Sequence, residues 1–160
     1  MDLSHIRLAI FDFDDTLAYH LNRNYMDMFT PEHVVEFQSG TYLYPERYFD
    51  EIEPCEAPQE LIELVDRMRK QGAKLYCLSG MWTTLHLKAK GSFVHEHYGE
   101  DVEMIAARDQ ETKVLVVNVL KKVYDLDYKE ILFVDDLDKN IETMKKLGIT
   151  AIRVNDIVKR

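Results

Sequence analysis

Two short acidic sequences could do chemistry. Asp12-Phe13-Asp14-Asp15-Thr16 follows directly on the apolar run Ile6 to Phe11, and Asp135-Asp136 follows directly on Ile131 to Val134. Apolar runs of this length bounded by polar residues read as buried strands, so carboxylates leave two strands at their C-terminal ends. In an open parallel sheet, ligands bind beyond those ends, where the strand order reverses. If the two strands are neighbours there, Asp12, Asp14, Asp135 and Asp136 converge on one crevice. Two like charges about 4 Å apart repel by roughly 4 kcal/mol at an effective dielectric near 20. A hard divalent cation offsets such repulsion, and magnesium, which keeps waters and shares phosphate oxygens, is the expected ion. The alternative is that Asp12 and Asp15 are turn or capping residues, a common use of aspartate after a strand. One pair would favour that alternative, whereas two pairs at two strand ends favour a site.

The elements that must position these residues are legible as a pattern. Ala73 to Leu78, Val102 to Ile105 and Ile149 to Val154 are further short β-favouring runs. Pro58 to Gln71 places Leu61, Leu64, Val65 and Met68 on one helical face, with Gly72 as its C-terminal cap. Gln110 to Tyr124 reads as a helix capped by Asp109, and a third helix is expected with Asp138 as cap and Gly148 past its end. Alternating strands and helices imply right-handed crossovers. The expected fold is α/β: a three-layer, Rossmann-like parallel sheet of about five strands with helices on both faces. Lys113 lies in the first turn of the second helix, where a cation opposes the helix dipole. An anion explains it better than helix stability does.

At 160 residues the chain suits one domain with a full core. The segment 18–53 breaks the alternation, yet eight of the seventeen aromatic residues lie in it. We expect a small packed insertion, a minimal cap or flap, and no disorder. A net charge of −9, with both signs scattered, advertises no nucleic-acid face. Two cysteines, Cys55 and Cys77, make no disulfide framework, and a buried free thiol is expected at Cys77. No leader or membrane span is read at the N-terminus, so the expected location is the cytoplasm. His95 and His97, two apart, would point to different sides of a helix, and no thiolate pair accompanies them, so zinc is not expected. Lys88, Lys90, Lys121 and Lys122 are expected on solvated faces. Trp82, two residues past Gly80, is either a substrate-stacking ring or a core anchor.

The chain resembles the haloacid dehalogenase-like superfamily, whose four motifs appear in order over nearly its whole length. The first is a hydrophobic strand and DxDxT, matched by Leu8 to Phe11 and then Asp12, Asp14 and Thr16. The second is a Ser or Thr ending the next strand, matched by Ser79 before Gly80. The third is a basic residue opening a later helix, with Lys113 the first choice and Arg108 the second. The fourth is Asp135-Asp136, with Asn140 four residues on. The resemblance implies a phosphatase in which Asp12 attacks phosphorus, while Asp14 protonates the leaving oxygen and later activates water. It implies that Ser79, the Gly80 backbone, Lys113 and Thr16 hold the phosphoryl group. It also implies that Asp12, Asp14 through its carbonyl, Asp135 and Asp136 serve magnesium, and that Asn140 holds the last loop.

Two other readings compete. A receiver domain shares the acidic cluster, but there the acidic pair follows the first strand, opposite to the order here. A catalytically idle binding module would lack usable motif side chains, and none is missing. The substrate class stays open: nucleotides, sugar phosphates, phosphoproteins and nucleic-acid ends all carry the group. The interval Met81 to Thr112 leaves little room for a cap. The mouth is therefore expected to be covered by a large phosphorylated substrate or by a second subunit, with Tyr19, Tyr25 and Tyr42 as one wall.

Overall fold

The computed structural model describes residues 2–21, 55–80, 84–107 and 109–159. Its strands are β1 (Leu8–Phe11), β2 (Tyr19–His20), β3 (Cys55–Glu56), β4 (Lys74–Ser79), β5 (Val102–Ala106), β6 (Ile131–Asp135) and β7 (Thr150–Arg153). Its α-helices are α1 (Gln59–Lys70), α2 (Thr84–Tyr98), α3 (Gln110–Val123) and α4 (Asp138–Lys146). Five strands form one parallel sheet in the order β5-β4-β1-β6-β7, while β2 and β3 pair antiparallel in a separate ribbon. The expected α/β sheet is thus present.

Why these runs are strands is plain from where alternate side chains go. In β1, Ala9 and Phe11 enter one core and Leu8 and Ile10 the other; in β6, Leu132 and Val134 oppose Ile131 and Phe133. One core is closed by Leu61, Val65 and Met68 of α1 with Phe93, Val94 and Tyr98 of α2. The other is closed by Val117 and Leu120 of α3 with Ile141 and Met144 of α4. A strand buried on both faces can carry no polar alternation, so its sequence is a continuous apolar run.

Helix ends follow the expected chemistry with one correction. The Asp109 carboxylate accepts from Thr112 N at 2.8 Å, and Gly72 ends α1 with φ 82°. Asp138, expected as a cap, is instead the first residue of α4; Leu137 holds the cap position, with no side-chain bond. The chain runs from β1 outward through β4 and β5, then crosses back to β6 and β7. The order therefore reverses between β1 and β6, the strands that carry Asp12 and Asp135. Apart from 18–21, the aromatic insertion lies outside the described residues, as do Tyr25, Tyr42, Trp82 and Arg108. No helix among the described residues is long and apolar enough to cross a membrane.

Candidate active site

Asp12 leaves β1 with its N–H donated to the Val134 carbonyl at 2.9 Å, which ties the first acidic sequence to the strand bearing the second. The chain then turns tightly: Thr16 N reaches Phe13 O, Ala18 N reaches Phe13 O, and Asp15 adopts a left-handed φ of 52°, which aspartate tolerates. Tyr98 of α2 donates its hydroxyl to Leu17 O at 2.6 Å and anchors this turn from the core.

Carboxylate oxygens of Asp12, Asp135 and Asp136 come within 4.8 Å of one another. Lys113 reaches between two of them, with Nζ 2.7 Å from Asp12 Oδ1 and 2.8 Å from Asp135 Oδ2. The anion inferred from its place in the first turn of α3 is therefore a pair of carboxylates. Asp135 also accepts from Leu137 N at 2.9 Å and from Asn140 Nδ2 at 2.9 and 3.0 Å. Ser79, at the end of β4, is buried beside the same crevice.

The electrostatics divide the acidic groups. Burial, followed by the neighbouring Asp135 and Asp14, pushes the Asp12 carboxyl up to about 7 against the pull of Lys113. Burial and Asp135 push Asp136 up to about 6. For Asp14 burial works the same way, but the Lys90 charge and hydrogen bonds from His20 and Lys90 outweigh it and hold the carboxyl well below the usual range. Burial opposes protonation of Lys113, yet Asp12 and Asp135 raise it above the ordinary lysine range.

Lys90 is the main correction. Expected on a solvated face, it is 2% exposed, with Nζ 2.7 Å from Asp14 Oδ2, 2.9 Å from Ser79 Oγ and 3.0 Å from the Gly80 carbonyl. His20, also unflagged by sequence, is buried and contacts Asp14 Oδ1 through Nε2 at 3.1 Å, and its Nδ1 lies 3.1 Å from Cys55 Sγ. Burial lowers the imidazole, but Asp14 and Cys55 raise it to about 9. One sequence signal was available for Lys90: it shares a helical face with Phe93 and Val94, three and four residues on, and both are buried. For His20 and Cys55 there was none, because their contact depends on β2 meeting β3 across 35 residues.

The residues fit a hard cation. The donors are all carboxylate oxygens, and two of them carry raised proton affinity that a divalent ion would relieve. Thr16 Oγ1 and Asp15 Oδ1 are buried in the same turn with no hydrogen-bond partner among the described residues. Buried polar atoms without partners are rare and point to a missing ligand or water.

No family model matches the sequence, and no curated protein matches it. Solved structures do match. A predicted HAD-like family hydrolase from Porphyromonas gingivalis is similar at a TM-score of 0.60 and 20% identity, over 93% of this chain and 91% of that one. A HAD family enzyme from Bacteroides thetaiotaomicron, in complex with magnesium and inorganic phosphate, is similar at 0.58 and 15%, over 92% and 93%. A phosphoserine phosphatase structure, described as a phospho-aspartyl intermediate analogue, is similar at 0.61 and 14%, over 96% and 91%. The chain thus has the fold of the haloacid dehalogenase-like hydrolases. It carries an acidic cluster of Asp12, Asp135 and Asp136 at the point where its strand order reverses.

Proposed function

We propose that the chain is a magnesium-dependent phosphatase acting on a phosphate monoester through an aspartyl phosphate on Asp12. The observation that carries this reading is the clustering of Asp12, Asp135 and Asp136, with Lys113 bridging the first two, next to a buried Thr16 hydroxyl that lacks a partner among the described residues. The magnesium and phosphate bound by one similar structure and the phospho-aspartyl analogue of another support it.

In this reading Asp12 Oδ forms a bond to phosphorus as the ester oxygen leaves, and Asp14 supplies the proton that oxygen needs. Water then attacks the acyl phosphate and gives its proton to Asp14, releasing phosphate and restoring Asp12. Asp14, ionised in the free chain, serves the second step as it stands. For the first it must take up a proton before the ester oxygen leaves. Ser79, Thr16, the Gly80 backbone and Lys113 hold the phosphoryl oxygens. Asp12, Asp135, Asp136 and the Asp14 carbonyl would hold magnesium, which supplies charge neutralisation at the phosphoryl group.

The substrate class stays with large phosphorylated molecules, or with a site closed by a second copy of the chain, as the short intervals in the sequence suggest. Turnover of p-nitrophenyl phosphate with and without magnesium tests the reading. Activity should require the ion, and Asp12→Asn should abolish it while the folded signal by circular dichroism stays the same. Full activity in excess chelator or in that variant would refute the assignment.

A further inference from the structure

Asp14 is gripped from two sides. Lys90 Nζ lies 2.7 Å from Oδ2 and His20 Nε2 lies 3.1 Å from Oδ1. Its carboxylate is not among the three that cluster within 4.8 Å, although it is two residues from one of them. An ionised carboxylate so close to a divalent-cation site would otherwise be drawn to the ion. Lys90 favours the opposite arrangement: among the described residues its ammonium donates to Asp14 Oδ2, Ser79 Oγ and the Gly80 carbonyl. Phe13 lies beneath it, with Nζ 4.9 Å from the ring centroid, and closes the apolar side. Burying a lysine this deeply is costly unless every bond it makes is good.

We infer that Lys90 is a positioning residue: acting through Asp14, it holds the proton-transferring carboxylate clear of the metal cluster, with its bond to Ser79 Oγ fixing its own place in the site. This rests on the phosphatase reading and adds to it a residue from α2, separate from the lysine that bridges Asp12 and Asp135. A residue that only stabilises the fold would depress turnover of all esters alike. One that positions Asp14 matters most where the leaving oxygen needs a proton.

The experiment compares phenyl phosphate with p-nitrophenyl phosphate, two esters of similar shape whose leaving groups differ in that need. Because kcat/KM reports the steps up to phosphoryl transfer, it isolates the acid step. For Lys90→Met, kcat/KM on phenyl phosphate should fall by about tenfold or more beyond any fall on p-nitrophenyl phosphate. Lys90→Arg, which keeps the charge, should recover part of the difference. Adding Lys90→Met to Asp14→Asn should change kcat/KM by less than about threefold, since the residue acts through Asp14. Where Lys90→Met does not fold, Lys90→Gln, which keeps a donor for Ser79, takes its place in every comparison. Equal losses on both esters, or a double variant that falls by the product of the single losses, would overturn the inference. A wild type that turns over neither ester would sink the phosphatase reading, and the inference with it.

Discussion

Lys113→Met tests whether the acidic cluster is held together by its lysine. Carboxylate oxygens within 4.8 Å of one another repel by at least about 3.5 kcal/mol per ionised pair at an effective dielectric near 20, so three ionised groups store about 10 kcal/mol. A lysine 2.7 and 2.8 Å from two of them returns about 6 kcal/mol at each contact on the same scale, which offsets that repulsion. Removing it cannot cost the full amount, because the cluster can take up a proton instead. Breaking a buried pair by deleting one partner typically costs about 3–5 kcal/mol. For a chain of this size that is a fall in Tm of roughly 6–20 °C. The sign of the pH dependence follows from Asp12. Its folded carboxyl already sits at about 7, above its unfolded value, and loses a partner that pulls it down. The variant therefore stays protonated to higher pH than wild type, and the deficit grows as pH rises through about 7. Thermal unfolding in chelator at pH 5.5 and pH 8.5 reads this directly, and magnesium should restore part of the loss at pH 8.5. A variant as stable as wild type at pH 8.5 in chelator would refute the balance of charges described here.

Magnesium affinity should fall as pH drops through about 7 and then 6, because Asp12 and Asp136 must lose protons to bind it. Calorimetry in two buffers of different ionisation heat should show proton release at pH 6 and almost none at pH 8.5, and an affinity flat across that range would count against both groups as ligands. Gly99→Ala separates scaffold from site: at φ 109° its Cβ would lie 2.7 Å from Arg69 Nη2 and 2.8 Å from Asp101 Oδ1. That pair ties α1 to the turn before β5. Stability should fall by about 1–3 kcal/mol with kcat/KM unchanged, and an unaltered Tm would show that the turn relaxes freely.

The sheet was legible in the sequence because its central strands are buried on both faces, and such strands have no polar positions to confuse the reading. α1 was legible for the opposite reason, since one apolar face and one charged face repeat with helical period. α2 was not. Its charged, small and aromatic residues follow no single stripe, and Gly91 and Ser92 interrupt it, so the interval Met81 to Thr112 reads as the β5 strand with little left over for a cap. The helix that bears a site lysine was thus the helix that periodicity could not see.

The same contrast runs through the site. Asp12 and Asp135 follow strand ends, so local spacing pointed to one crevice, whereas Lys113 and Asn140 were expected there from the resemblance; in the structure both contact Asp135. Lys90 and His20 earn their places only through tertiary contacts: a helix packed on β5 and a two-residue ribbon closed across a long insertion. The charges explain why such residues are needed. With one lysine, the acidic groups would share a single cation, and Asp14 would compete with Asp12 and Asp135 for it or for the metal. A second lysine, brought from the opposite side of the sheet, gives Asp14 a partner of its own. In the proposed mechanism, that leaves one carboxylate free to transfer a proton while its neighbour two residues away attacks phosphorus.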